Sequence, residues 1–269
     1  MRLPIFFTLF VLVLCGCGNT SNDDLAIASD TAPIANDDSP CVNDDSVVVN
    51  VASFMKDSLT FDGYTYKTVK IGNQEWFAEN LRTTVYANGD GIPYSRTDES
   101  WKIQKMGMRC PYDHDELRSA HYGQLYNGYA VRDERGLCPS GWHVPTDEEW
   151  QELEMFLGMS LADAGVTGTR GSGELCIGTK LKARSGWQEG GNGTDDVGFS
   201  ILPGGLRDSP DFAFTLADTA GFWWSSSVSF WSSKQQSLWH RSIGRKTFIN
   251  RGEVGPRLGL SVRCIRDQD

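Results

Sequence analysis

Residues 138–150, Cys-Pro-Ser-Gly-Trp-His-Val-Pro-Thr-Asp-Glu-Glu-Trp, contain the clearest helix start in the chain. Thr146 has the side chain of an N-cap residue, and Glu149 stands three positions later, as a capping box requires. The acidic residues of this first turn also suit the positive end of the helix dipole. One face of the helix follows at helical spacing, with Trp150, Leu153, Glu154 and Leu157. Gly158 then ends the predicted helix.

The segments on either side of this helix are rich in short β patterns. Residues 64–76 predict a hairpin, because two β-prone stretches flank Gly72-Asn73. Residues 122–131 are aromatic and apolar and fit either a short helix or a strand. Loops are expected in the stretches 77–95 and 168–198. Further short strands are expected at 199–206, 221–227, 237–243 and 260–265. The predicted fold class is therefore α+β, with few helices, short antiparallel strands and many loops.

Composition restricts the classes of function. The chain has 269 residues, a net charge of −10, 29 Gly and 9 Trp. Seven Asp and no Lys, Arg or Glu lie in residues 18–55, so the acidity is concentrated near the N-terminus. No basic surface is suggested, which argues against a nucleic-acid partner. The glycine and tryptophan content favours a loop-rich globular domain over a helical bundle.

The N-terminus has the pattern of an export signal. Arg2 is followed by an apolar run over residues 3–14, which is too short to span a bilayer. Leu14-Cys15-Gly16-Cys17 then has the form of a bacterial lipobox. Cleavage before Cys17 would leave that thiol to be diacylated, and several acyl chains anchor a protein stably. We expect residues 1–16 to be a lipoprotein signal peptide and Cys17 to be the lipid attachment site, with an ordinary secretory signal as the alternative.

The segment that follows is predicted to be a disordered acidic tether over residues 17–52, with the folded domain at 53–269. The tether consists mainly of Asn, Asp, Ser, Thr and Ala, and it cannot bury enough apolar surface to offset its ordering entropy. Gly18 rather than Asp follows Cys17, which argues against retention in an inner membrane. The predicted location is the cell envelope, as a lipoprotein of the outer membrane or the cell surface.

Six blocks along the chain match one domain family. Two of them are 69–81, Val-Lys-Ile-Gly-Asn-Gln-Glu-Trp-Phe-Ala-Glu-Asn-Leu, and the helix-start segment 138–150. The remaining blocks, in the family's order, are 122–126, 193–205, 222–226 and 261–267. Together they resemble the Fibrobacter succinogenes major paralogous domain family over residues 57–267. This resemblance implies an exported bacterial protein and implies no particular activity.

A more distant likeness concerns the fold. Residues 141–150, Gly-Trp-His-Val-Pro-Thr-Asp-Glu-Glu-Trp, and the closing Val-Arg-Cys-Ile-Arg-Asp are similar to two blocks of the formylglycine-generating, or sulfatase-modifying, enzymes. Those enzymes have a C-type-lectin-like fold, and in C-type lectins a Cys near the first helix is bridged to a Cys in the last strand. The resemblance therefore implies a C-type-lectin-like domain with a disulfide between Cys138 and Cys264.

Five cysteines remain once the two in the export signal are set aside. An odd number leaves at least one thiol unpaired in the monomer, although disulfides persist outside the cytoplasm. Cys110 and Cys176 could form a second bridge, which would leave Cys41 in the tether unpaired. No Cys-x-x-Cys or paired Cys/His spacing is present, so a structural zinc site is not expected.

The sequence lacks a recognisable catalytic constellation. Formylglycine-generating enzymes use a pair of Cys near the C-terminus as copper ligands and redox centre, but only Cys264 follows Cys176 here. His143 is predicted to be a hydrogen-bonding partner rather than a base. Asp147 and the two acidic residues after it are predicted to cap the helix rather than to act in acid–base chemistry. We therefore predict no enzyme activity and no catalytic residue.

Asp195 and Asp196 are the weak candidates for metal binding. Together with nearby polar residues they could offer oxygen ligands to calcium, although a solvated turn is the simpler interpretation. The calcium-dependent sugar motifs of C-type lectins, Glu-Pro-Asn and Trp-Asn-Asp, are absent from the sequence. No cofactor is otherwise expected.

Aromatic residues of the C-terminal third are the candidate ligand-binding residues: Trp223, Trp224, Trp231 and Trp239. Neighbouring residues on a strand point to opposite faces, so Trp223 and Trp224 cannot both face a single core. An exposed Trp would offer a platform on which a sugar ring stacks. The alternative is that these rings fill the core of a domain with few aliphatic residues.

The leading functional hypothesis is a lipid-anchored envelope protein with a non-catalytic ligand-binding domain, for a glycan or a surface protein. The alternative is a structural or adhesive envelope component that binds other envelope proteins. An enzyme of unrecognised type is a third possibility, which the absence of a nucleophile–base pair or metal cluster in the sequence disfavours.

Overall fold

The computed structural model describes residues 57–103, 105–188, 190–208, 211–229 and 236–268. The features predicted outside these ranges are the signal peptide 1–16, the lipid attachment site Cys17, the tether 17–52, Cys41 and Trp231. Within the described ranges, no helix has both the length and the apolar character needed to cross a bilayer.

Fourteen strands and six α-helices form the described part of the chain. The strands are β1 (Ser58–Phe61), β2 (Tyr64–Ile71), β3 (Gln74–Phe77), β4 (Arg109–Cys110), β5 (Leu125–Asn127), β6 (Trp142–His143), β7 (Gly168–Arg170), β8 (Gly204–Arg207), β9 (Phe214–Ala217), β10 (Gly221–Ser229), β11 (Ser237–Ile243), β12 (Ile249–Val254), β13 (Gly259–Leu260) and β14 (Ile265–Arg266). The helices are α1 (Asp98–Ile103), α2 (Glu116–Tyr122), α3 (Gly128–Val131), α4 (Asp147–Phe156), α5 (Leu161–Ala164) and α6 (Ile177–Leu181). Strands and loops predominate and the helices are short, which confirms the predicted α+β, loop-rich class.

Two sheets organise these elements. The first has five strands in the order β1-β2-β3-β14-β6, so the last described strand lies between two strands that come much earlier in the chain, β3 and β6. The second has nine strands, with β4-β5-β13-β8-β10-β11-β12-β7 in order and β9 paired to β8. Apart from isolated bridges, the described strand pairings are antiparallel, except that β8 and β10 run parallel.

Local sequence signals account for the hairpin and the main helix. Strands β2 and β3 pair with Val69 opposite Trp76, and Gly72 makes the turn with a φ of 60° that favours glycine. Helix α4 begins with the predicted capping box, in which the Thr146 hydroxyl accepts from Glu149 N and the Glu149 carboxylate accepts from Thr146 N. Both predictions are confirmed.

Strand β10 lies between two hydrophobic cores. Trp224 belongs to a cluster with Tyr126 and Leu260, whereas Trp223 belongs to a cluster with Trp150. Both Trp side chains are completely shielded from solvent. The alternation of the strand is as predicted, but both of its faces are covered, so of the two alternatives the filling of the core applies to Trp223 and Trp224.

Tertiary structure changed several of the predicted boundaries. Residues 122–131 contain both alternatives, because strand β5 is followed directly by helix α3. The strand expected at 199–206 is confined to β8, and the one expected at 260–265 is divided between β13 and β14. Strand β11 matches its predicted range, 237–243, whereas β12 was not predicted.

A disulfide joins Cys138, which lies shortly before α4, to Cys264, which immediately precedes β14. The Cα atoms are 5.9 Å apart and the two residues are 126 positions apart in the chain. This pairing agrees with the resemblance to the lectin-like folds. The second bridge considered from the sequence is absent, because Cys110 is a buried free thiol whereas Cys176 is disulfide-bonded.

Candidate functional site

The tryptophans do not form an exposed platform in the described part of the chain. Trp223 Nε1 donates to Asn80 Oδ1 at 2.9 Å, and Trp224 Nε1 donates to the carbonyl of Tyr126 at 2.7 Å. Both rings are therefore buried and satisfied. Trp239 is half-buried, and the Arg251 guanidinium lies 3.5 Å from its ring centroid. Trp223 and Trp224 thus offer no stacking surface, and a cation already lies over one face of the Trp239 ring.

The calcium candidates do not converge on a common point. The Asp195 carboxylate accepts hydrogen bonds from the backbone N and the hydroxyl of Ser200, at 2.7 and 2.6 Å. These bonds close a local turn, and Asp196 is exposed beside it. Among the described residues, no three His, Cys, Asp or Glu side chains are grouped so that they could hold a metal ion.

His143 is held between two carboxylates. Its Nε2 lies 2.9 Å from both carboxylate oxygens of Glu149, and its Nδ1 lies 2.6 Å from Asp267 Oδ1. The hydrogen bond with Glu149 raises the pKa of His143, although partial burial opposes the shift. Because both ring nitrogens are engaged, His143 links Glu149, in the first turn of α4, to Asp267, which follows β14.

A buried ion-pair network lies beneath α4. Asp147 accepts from Arg241 at 2.7 Å and from Arg251 at 2.6 Å, and Glu154 accepts from Arg241 and from Arg170. Burial alone would raise the pKa of Asp147, but the hydrogen bonds and charges of the arginines outweigh it and lower that pKa. The prediction that Asp147 serves only the helix start is therefore incomplete, because the side chain also joins α4 to β11 and β12.

One concave site with a buried charge is a cavity of about 210 Å³ between α2, β2 and the loops that follow β3 and precede β8 and β14. We call it the Arg263 cleft. Its lining consists of Lys67, Ala78, Glu79, Asn80, Arg82, His121, Ala183, Ser200, Leu202 and Arg263. These residues come from six separate segments of the chain.

Glu79 is the acidic residue of the cleft, and its charge is already satisfied. Its carboxylate accepts from the Tyr64 hydroxyl at 2.6 Å, from Lys67 N at 3.0 Å and from Arg82 Nη2 at 3.3 Å. The Arg82 guanidinium also lies 3.9 Å from the centroid of the Tyr64 ring. Glu79 and Arg82 therefore form a neutral, mutually fixed pair.

Arg263 forms the floor of the cleft and is 1% exposed. Its Nε donates to Asn80 Oδ1 at 3.1 Å, and its Nη atoms donate to the carbonyls of Phe77, Phe199 and Ser200. Every acceptor is neutral, and no ion pair to this residue occurs among the described residues. Burial lowers the pKa of Arg263 to about 9, which remains high enough for the guanidinium to be charged at neutral pH.

The rim of the cleft carries two further nitrogen groups. Lys67 on β2 and His121 on α2 are both exposed. With Glu79 neutralised by Arg82, the cationic groups Lys67 and Arg263 are not balanced within the lining. Apolar side chains, including Leu202, cover part of the wall. The cleft can therefore hold a small polar ligand of negative charge.

A second, wider depression of about 590 Å³ includes Asp98, His114 and Phe214 in its lining. One of its charged groups contributes to the fold, because Asp98 forms an ion pair with the buried Arg207. The His114 ring packs edge-on against Phe214, with the centroids 5.1 Å apart. Unlike the Arg263 cleft, this depression has no completely buried cation in its lining.

Sequence reasoning missed the cleft, since its charged residues are far apart in the chain. Lys67, Arg82 and His121 belong to no local motif that predicts a ligand. Arg263 was visible only as a member of the closing block 261–267. Its position beside Cys264 gave no signal of burial, because neighbouring residues on a strand point to opposite faces.

Comparison with known proteins assigns the family. The model described as the Fibrobacter succinogenes major domain matches residues 69–266, and the chain belongs to this family. No curated protein and no solved structure matches the chain. The family carries no stated activity, so the function is argued from the site.

Proposed function

We propose that this chain is a lipid-anchored cell-envelope protein whose folded domain binds a glycan at the Arg263 cleft without converting it. The observation that carries the proposal is the cleft itself, in which buried and rim polar groups from six segments converge on one concave surface. Such convergence of a few polar groups with apolar wall residues is typical of small-ligand sites.

The arrangement of groups in the cleft favours binding over catalysis. Nucleophilic catalysis needs a nucleophile and a base within hydrogen-bond reach, with the base free to take the proton. The hydroxyl of Ser200 donates to Asp195, whose other oxygen is occupied by the backbone of Ser200. Glu79 receives three hydrogen bonds and is paired with Arg82. These groups are better placed to orient a ligand than to exchange protons with it.

Binding to glycans can be tested on the full chain purified in detergent. We expect saturable binding on a glycan array or to insoluble polysaccharides, with no requirement for calcium. Leu202→Trp should fill the cleft and abolish binding. Leu161→Trp, at a side chain that is 73% exposed on α5, should leave it intact. Binding that survives Leu202→Trp would exclude the cleft as the site.

The anchor can be tested independently of the ligand. The proposal rests on the lipobox that ends at Cys17 and on the acidic, apolar-poor segment after it. Cys17→Ala should move the protein from the membrane fraction to the soluble fraction and abolish labelling by a palmitate analogue. Cys15→Ala is the matched control and should change neither result. Retention of Cys17→Ala in the membrane would contradict lipid anchoring.

A structural or adhesive role remains the second candidate. Three apolar side chains close together in the chain, Phe156, Leu161 and Val166, are 44%, 73% and 50% exposed. Exposed apolar groups of this kind favour a protein partner. A negative result with every glycan, obtained on folded protein, would favour this candidate over the glycan-binding proposal.

A further inference from the structure

We propose that the ligand of the Arg263 cleft is acidic, and specifically that the cleft receives the carboxylate of a uronic acid residue. This inference rests on the proposed function and names its substrate class. One juxtaposition carries it. The buried guanidinium of Arg263, whose hydrogen-bond acceptors are all neutral, forms the floor of the cleft, and the rim bears a second cation, Lys67.

The charges of the lining do not cancel. Arg82 and Glu79 neutralise each other at 3.3 Å, and the same carboxylate is further occupied by Tyr64 and the backbone of Lys67. Lys67 and Arg263 remain as cations without an ion pair within the lining. The further carboxylate that acts most strongly on Arg263, that of Asp195, lies outside the lining and is engaged with Ser200. An anion that enters the cleft would meet favourable electrostatic interactions from both cations, and these are stronger near a buried wall than in bulk water.

Arg263 has donor capacity left for such an anion. A guanidinium carries five N–H groups. Four are directed to Asn80 and to the carbonyls of Phe77, Phe199 and Ser200, so one Nη2 hydrogen has no acceptor among the described residues. A buried cation is normally retained with a charged partner, because desolvation without compensation is costly. A ligand oxyanion would supply the missing partner.

The size and lining of the cleft fit a sugar acid. A cavity of about 210 Å³ has room for one small group rather than for a long segment of chain. Ala78, Ala183 and Leu202 present apolar surface beside the charged groups. A pyranose ring has an apolar face of C–H groups and a polar edge, so a uronic acid residue can contact this wall while its carboxylate reaches Arg263.

The experiment compares an acid with its neutral ester on the full chain. Titration calorimetry would use trigalacturonic acid and the same trisaccharide with every carboxyl methyl-esterified. We expect the acid to bind, with an affinity that falls as salt is raised, and the ester to bind at least tenfold more weakly. Equal affinities would overturn the inference.

Variants at the rim locate the charge without disturbing the core. Lys67→Met should weaken binding of the acid about fivefold, as expected for loss of one partly exposed charge. Lys70→Met is the matched control, because Lys70 is exposed on the same strand outside the lining, and it should leave the affinity unchanged. Equal effects of both substitutions, or no effect of Lys67→Met, would contradict an anion held in the cleft.

Further ligands separate this inference from the proposed function. If neutral glycans bind at the cleft and trigalacturonic acid binds no more tightly than they do, the acidic ligand is excluded while glycan binding stands. If no glycan binds, the proposed function itself fails. Inorganic phosphate and a short peptide with a free C-terminal carboxylate complete the series. Binding of either as tight as that of the trisaccharide acid would overturn the assignment to a sugar.

Discussion

The carboxylate of Glu154 accepts a hydrogen bond from Arg241 at 2.6 Å, and both side chains are fully shielded from solvent. Glu154 occupies the buried face of α4, at a position where the helical spacing alone suggests an apolar residue. Removing these charges from water is expensive, and the geometry of the pair offsets that cost only while both partners are present. The pair therefore fixes how α4 sits on β11.

Breaking this pair should destabilise the fold. We expect Glu154→Gln to lower the free energy of unfolding by about 3–5 kcal/mol, because in a buried site Arg170 would lose its charged partner and Arg241 would keep only Asp147. Urea titration followed by tryptophan fluorescence measures the change. Glu152→Gln, at a partly exposed position on the same helix, is the control and should cost less than about 1 kcal/mol. Equal costs for the two variants would disprove the structural role assigned to the buried pair.

The Cys138–Cys264 disulfide should contribute substantially to stability. The chain-entropy relation gives about 4–5 kcal/mol for a loop of this length, less any strain. Cys138→Ala, Cys264→Ala and the double variant would be compared by thermal and urea unfolding. Because the bond is lost in all three, the double variant should be little less stable than either single variant. Additive losses would indicate that packing of the two side chains, rather than the bond, carries the effect.

His143 should make stability depend on pH. Its pKa is raised above 6.5, chiefly by Glu149. A raised folded-state pKa means that the stabilisation is complete below about pH 6.5 and is lost as the pH rises through the folded-state value. The difference in melting temperature between the wild type and His143→Gln should therefore be larger at about pH 5.5 than at about pH 8.5.

The control for this pH dependence is His121→Gln, at an exposed position on α2. Its melting temperature should follow that of the wild type at both pH values. If His143→Gln showed the same difference from the wild type at about pH 5.5 and about pH 8.5, the ion pairs with Glu149 and Asp267 would not be the source of the stabilisation.

Trp224 should prove to be a core residue and not a ligand contact. Trp224→Phe removes the donor to the Tyr126 carbonyl and leaves a small cavity, so we expect a loss of about 1–3 kcal/mol in unfolding free energy. Glycan affinity of the folded variant should equal that of the wild type. A loss of binding without a loss of stability would instead support the aromatic platform that the sequence suggested.

Local signals explain which parts of the fold the sequence predicts. The capping box at Thr146 and the turn at Gly72 act through neighbouring residues, so both elements could be placed from the sequence. Strand β12 was not recognisable, because Arg251 and Gly252 interrupt its apolar pattern. Arg251 is buried there with Asp147, which is far away in sequence, as its charged partner.

The candidate site could not be predicted for a related reason. Alternation along β10 correctly separates Trp223 from Trp224, but it cannot reveal that a second core covers the other face. The Arg263 cleft likewise depends on the meeting of Lys67, His121 and Arg263, which no spacing rule connects. Long-range packing decides both outcomes. It buries the tryptophan rings that could have formed a surface platform, and it creates the Arg263 cleft.

The position of β14 imposes an order on the assembly of the domain. Ile265 pairs with Trp76 on one side and with His143 on the other, so β14 is the strand that joins the N-terminal hairpin to β6. These residues are synthesised after those of the other four strands of the sheet. The five-stranded sheet therefore stays in two separate pieces, and the disulfide at Cys264 cannot form, until β14 has been made. Up to that point the domain lacks both the strand and the covalent link that connect its N-terminal hairpin to the start of α4.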